Sequence, residues 1–215
     1  MSHVVILRPE PGASATLARA AAAGIDAVAI PLFQLAPVEW VAPDADDYDA
    51  LLLTSANAVR HGGEQLAGLR ALPTYCVGDA TAVAAREAGF AVAGTGAGDA
   101  AALVERVPHG LRLLHLAGRD HRPIAKVTAI IVYHSAVINP PPSLDALVGG
   151  VAMVHSPRAG TRLAELVETR GDIRIAAISE AAAAACGGGW REVAAITAPG
   201  DGALLALAAM LCQTG

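Results

Sequence analysis

A chain of 215 residues, 54% hydrophobic but only 3% aromatic, has room for one large or two small domains with cores of Ala, Val, Leu and Ile. Its formal net charge of −5 argues against a general nucleic-acid binder and leaves any anionic ligand to be held by local geometry. Cys76, Cys186 and Cys212 form an odd set without CxxC spacing, which indicates neither a disulfide framework nor a zinc site.

No apolar run approaches the ~20 residues that cross a bilayer. The N-terminus, Met1-Ser2-His3-Val4-Val5-Ile6-Leu7-Arg8-Pro9, enters a strand with no cationic leader or cleavage site, which predicts a cytoplasmic protein. After strand Val4–Leu7 the pattern predicts a helix from about Ser14 to Ala23, closed by Gly24, and strand Ala27–Ile30. Pro31 and Pro37 bracket an extended stretch, and the acidic turn Pro43–Asp47 follows. Strand Leu51–Thr54 runs into a polar elbow, Thr54-Ser55-Ala56-Asn57, that opens a helix.

Strand Thr74–Val77 and helix Asp79–Ala88 come next, with Gly89 as C-cap. Strand Ala91–Ala93 leads into Gly94-Thr95-Gly96-Ala97-Gly98, read as a flexible turn, and Asp99 is placed to N-cap helix Ala100–Val107. Strand Leu111–Leu116 ends at Ala117-Gly118-Arg119-Asp120. An extended run, Val127–Val137, is closed by Asn139-Pro140-Pro141-Pro142. Strand Val151–Val154 then enters a second elbow, His155-Ser156-Pro157-Arg158, and strands Ile173–Ile178 and Val193–Ile196 complete the series.

Alternating strands and helices predict parallel sheets with crossover helices. Ser55 and Ser156 are 101 positions apart, and Val77–Ala82 stands at the same offset from Ile178–Ala183, so half of the frame reads as duplicated. The first two strands are too few for a stable sheet. Joined to the last three, they make a discontinuous five-stranded domain, 1–35 with 139–215, around an inserted domain, 39–126. The segments 30–38 and 127–138 are then paired linker strands.

Elbows at the end of parallel strands point backbone N–H groups and hydroxyls beyond the sheet edge, where anions bind. The glycine-rich segment lacks GxGxxG spacing. Walker, GxSxG and HExxH motifs are absent, and His115, Asp120 and His121 match no metal-ligand spacing.

The segments Val5–Pro9, Pro31–Pro37, Leu53–Val59, Val77–Ala82, Val132-Tyr133 and His155–Ala159 together resemble the uroporphyrinogen-III synthase family, in that family's order. The resemblance implies two flavodoxin/Rossmann-like α/β domains with parallel sheets, joined by a two-stranded β-ladder linker, with the active site in the cleft. It implies a cofactor-free, metal-free, monomeric enzyme that closes hydroxymethylbilane, a linear tetrapyrrole polycarboxylate, to uroporphyrinogen III with ring D inverted. The substrate's partners would be Arg8, Thr54, Ser55, Asn57, Thr81, Arg119, Ser156, Arg158 and Ser179. Helix capping is the plain alternative for each Ser, Thr and Asn. Tyr133 stands where the family has a tyrosine facing the cleft; a phenol keeps its proton at neutral pH and can assist departure of a hydroxyl.

Two segments depart from the family pattern. Ser179-Glu180-Ala181-Ala182-Ala183 replaces Gly-Pro-Thr-Thr-Ala, so Glu180 either approaches the carboxylate site or faces solvent in the helix's first turn. Between Gly118 and Val127 there is no room for the family's further helix, which leaves Arg119, His121 and Arg122 on a loop. Rival readings are a hinged two-domain small-molecule binding protein and a nucleotide-binding α/β enzyme that uses the glycine-rich segment.

Overall fold

The computed structural model describes residues 2–96, 100–198 and 200–213. The expected N-cap Asp99, with Ala97 and Gly98, lies outside the described residues. The first elements are β1 (Val4–Ile6), α1 (Gly12–Ala22), β2 (Ala27–Ala29), β3 (Phe33–Pro37), β4 (Ala50–Leu53), α2 (Ala56–His61) and β5 (Thr74–Val77). There follow α3 (Asp79–Glu87), β6 (Val92–Gly96), α4 (Ala100–Val104), β7 (Leu113–Gly118) and β8 (Val127–Val137). The rest is β9 (Val151–Val154), α5 (Pro157–Leu166), β10 (Arg174–Ala177), α6 (Glu180–Ala185), β11 (Glu192–Ala195) and α7 (Asp201–Gln213).

The chain forms two compact units, Met1–Gln34 with Ala136–Gly215, and Leu35–Ser135. In the first, a five-stranded parallel sheet has the order β11-β10-β9-β1-β2. Its central strands β1, β9 and β10 are buried at every residue, as parallel strands covered on both faces must be. Val4, Ile6 and Met153 pack toward Leu204 and Leu205 of α7, and α1 contributes Ala13 and Ala20 on the same face. Val5, Leu7, Ala152 and Ile175 form the other face with Leu163 and Ala182 of α5 and α6. Gly160 lets those two helices close, because a Cβ there would stand 2.8 Å from the Ala182 carbonyl oxygen.

The second unit holds the order β3-β8-β7-β4-β5-β6. β4, β5, β6, β7 and the first half of β8 are parallel. β3 runs antiparallel to β8, the Val38 amide donating to the Val132 carbonyl at 3.0 Å and the Ile138 amide to the Leu32 carbonyl at 3.1 Å. In both sheets the order of the parallel strands reverses beside the first of them, between β1 and β9 and between β4 and β7. Such switch points open a crevice at the carboxyl edge.

Three expectations are corrected. Gly94, Thr95 and Gly96 are no flexible turn: they extend β6 and pair with Tyr75, Cys76 and Val77. The two glycines' lack of side chains admits neighbours, since Cβ atoms would come 3.0 Å from the Tyr75 ring at Gly94 and 2.9 Å from Leu103 at Gly96. β7 starts at Leu113 and runs through Gly118, because Val127–Tyr133 of β8 pairs along it to its end. Helix α4 ends at Val104, and isolated turns at Arg106 and Val107 finish the segment.

Candidate functional site

In the second unit the carboxyl edge of the sheet carries Thr54, Ser55, Asn57, Thr81, Arg119 and Tyr133. Ser55 has extended backbone, and its Oγ accepts the Asn57 amide at 3.2 Å, an N-cap for α2. Asn57 in turn accepts from the Arg60 guanidinium at 3.3 Å. Thr81 lies in the first turn of α3, only 5% exposed. That helix opens on Gly78, at φ 80, with no side chain capping its amides. Arg119 is exposed, and its amide donates to the Tyr133 carbonyl at 3.0 Å.

Histidines unite this edge. Thr54 Oγ1 is 2.9 Å from Nε2 of His115, across the β4–β7 switch point. His115 is 2% exposed, and burial pushes its pKa down to about 4, with the neighbouring His121 adding to the shift. The two rings meet edge-on at 5.5 Å between centroids, and His121 Nδ1 is 3.0 Å from the Gly118 carbonyl oxygen. Tyr133 lies across Gly118: a Cβ on that glycine would stand 2.6 Å from the Tyr133 Cζ and 2.8 Å from its hydroxyl oxygen. The His61 ring is tilted 30° to the phenol at 6.1 Å, and burial, then the Arg60 charge, lowers its pKa.

In the first unit, Arg8, Ser156 and Ser179 follow β1, β9 and β10 at the carboxyl edge. Ser156 Oγ accepts the Ala159 amide at 3.2 Å, and Ser179 Oγ accepts the Ala182 amide at 3.3 Å. Both are N-caps as well as candidate ligands. Helices α2 and α6 have six residues each, too short for much of a dipole, whereas α3 has nine and α5 ten. Glu180 sits in the first turn of α6, exposed. The Arg158 guanidinium lies over the Phe33 ring at 4.5 Å.

Arg8 meets an internal carboxylate. Its Nη1 is 2.8 Å from Asp201 Oδ1, and Arg19 also pairs with Asp201. Thr16 Oγ1 is 3.0 Å from both carboxylate oxygens, and His155 Nε2 is 2.8 Å from Oδ1. Burial acts to raise the Asp201 pKa; hydrogen bonds from His155 and Thr16 and the charge of Arg8 outweigh it, so the carboxyl stays below its ordinary value. Burial also lowers His155, against the pull of Asp201. Asp201, Thr16, Arg19 and His155 were not singled out from sequence as functional. The available signal was Gly200-Asp201 ahead of an Ala/Leu helix, an N-cap pattern that does not name its partners.

Among the described residues, the two edges therefore present hydroxyls, backbone amides, guanidinium groups, imidazoles and the Tyr133 phenol. That inventory suits the holding of carboxylates and the donation of a proton. Among the described residues, no three His, Cys, Asp or Glu side chains gather as a metal ion would require. None of the described helices is long and apolar enough to cross a membrane.

The family model described as Uroporphyrinogen-III synthase HemD matches residues 14–206. The fold is similar to that of the uroporphyrinogen-III synthetase of Helicobacter pylori 26695, with TM-score 0.64 and 15% identity, over 98% of this chain and 100% of that one. A mutant uroporphyrinogen III synthase of Thermus thermophilus aligns over 100% of both chains at 17% identity, with TM-score 0.47. No curated protein matches the chain.

Proposed function

The chain belongs to the uroporphyrinogen-III synthase family of cyclising lyases, and from that premise we propose that it converts hydroxymethylbilane to uroporphyrinogen III. The match over residues 14–206 carries this reading. The substrate is a flexible linear tetrapyrrole with an acetate and a propionate on every ring. Loss of its terminal hydroxyl leaves an azafulvene, which the substituted carbon of ring D attacks; the resulting spiro intermediate fragments and re-closes with that ring inverted. The enzyme's task is to fold the chain for this attack and away from uninverted closure.

Tyr133 is the proton donor in this reading: its hydroxyl gives a proton to the leaving hydroxyl, which departs as water. The uncapped first turn of α3 and the hydroxyls of Thr54, Ser55 and Thr81 hold carboxylates in the second unit. Ser156, Ser179 and Arg158 do so in the first. Each charged hydrogen bond adds ~1.5–3 kcal/mol. Arg8, already paired with Asp201, supplies a partly neutralised charge. The enzyme acts as a monomer in the cytoplasm, without cofactor.

Incubation with enzymatically made hydroxymethylbilane, followed by separation of the isomers, tests the activity. Isomer III is expected; isomer I alone, at the spontaneous rate, would sink the assignment. Tyr133→Phe should lower kcat about a hundredfold, the low end of what a positioned general acid contributes, with KM and melting temperature retained. Undiminished turnover would remove Tyr133 from the chemistry.

A further inference from the structure

We propose that Gly118 is a positioning residue for Tyr133, its missing side chain being the space in which the phenol rests. The proposal deepens the reading of Tyr133 as the proton donor and rests on it. Gly118 is the last residue of β7, and its φ lies outside the left-handed region that would itself demand glycine. Alanine is therefore acceptable to the backbone, and the reason for glycine must lie in what covers it. The three atoms that a methyl at this position would meet first are all on Tyr133: Cζ at 2.6 Å, the hydroxyl oxygen at 2.8 Å and Cε2 at 2.9 Å.

The two strands bring this about through a change of register. Ala117 pairs with Ile131, but Gly118 pairs with Tyr133, so one residue of β8 is skipped. The skipped Val132 is fully buried in the core, and the shift aims the next side chain at Gly118. The backbone on both sides is fastened. The Arg119 amide donates to the Tyr133 carbonyl at 3.0 Å, and the His121 amide donates to the Gly118 carbonyl at 3.0 Å. A methyl at 118 cannot be accommodated by sliding the strands without breaking the bond between Arg119 and Tyr133. The ring is the part that yields, and it carries the hydroxyl away with it.

The test is a double-mutant cycle in the full chain. Gly118→Ala should reduce kcat by about the same hundredfold factor as Tyr133→Phe, with KM within about twofold. The two substitutions together should cost no more than either alone, because each removes the same hydroxyl from the same place. Wild-type kcat in Gly118→Ala, or losses that multiply in the double variant, would overturn the proposal. Failure of the parent reading looks different: Tyr133→Phe would then turn over normally. In that event placement is still read from the Tyr133 ring resonance, assigned by its loss in Tyr133→Phe; Gly118→Ala must shift it, and an unmoved signal refutes the positioning role. A stability arm covers poor folding. The melting-temperature loss caused by Gly118→Ala should vanish in a Tyr133→Ala background, and a loss that persists would assign the glycine to the strand rather than to the phenol.

Discussion

His115 is a nearly sealed imidazole whose Nε2 meets Thr54 at 2.9 Å. Its pKa of about 4 in the folded chain lies below the ~6.5 of an unfolded histidine, so between these values the unfolded chain binds the extra proton. The stability is whole above about pH 6.5 and is lost as pH falls toward 4, by roughly 1.4 kcal/mol per unit and of order 3 kcal/mol in all. His155, also lowered by burial, acts in the same direction. His115→Gln, which keeps a hydrogen-bonding group for Thr54, should flatten this slope. Urea denaturation at about pH 7.5 and about pH 5 measures it; parallel slopes in variant and parent would show that another group titrates. Residue pairs of this kind were the least legible part of the sequence. Thr54 was visible from its elbow, but its partner is 61 positions away. Asp201 and Arg8 are 193 apart, so a cationic residue read as a substrate ligand turned out to have a carboxylate of its own.

Helix starts were far easier to read than strand ends. Ser55, Ser156 and Ser179 each precede a helix and each accepts a backbone amide from its first turn, a requirement set within four residues of chain. Ser156 is followed by Pro157, whose fixed φ suits the first helical position. Gly94, Gly96 and Gly118 misled for the opposite reason. A glycine inside a strand and a glycine in a turn look alike locally; what separates them is a side chain brought from elsewhere, here Tyr75, Leu103 and Tyr133. The capping role can be parted from ligand binding at Ser156. Ser156→Ala should cost about 1 kcal/mol in stability. Ser156→Asp keeps the cap and stabilises the helix start, yet places a negative charge where a carboxylate is proposed to bind. It should raise KM several-fold while leaving the melting temperature intact. An unchanged KM would leave Ser156 as a cap and nothing more.

At the scale of the whole chain, the alternation of strands and helices carried the fold class, and the count of strands was the reason to join the first two to the last three. Strand order was not legible, because a local period says which face is buried but not which strand lies alongside. The place where β1 meets β9, and β4 meets β7, emerges only from the sheets. Charge, by contrast, is a whole-molecule property readable from composition: 15 Lys and Arg against 20 Asp and Glu. A polycarboxylate approaching this protein meets a net repulsive field, and in the proposed reading the attraction comes from short-range donors at the two sheet edges. Raising ionic strength from about 0.01 M to about 0.1 M shortens the screening length from about 30 Å to about 10 Å. That removes the long-range repulsion first and leaves contact hydrogen bonds largely in place. KM for hydroxymethylbilane should therefore hold flat or fall over this range, the reverse of an enzyme that steers its anion with a basic surface. Initial rates across a salt series measure this, and a steep rise of KM would mean that a concentrated positive patch, rather than local hydrogen bonding, captures the substrate.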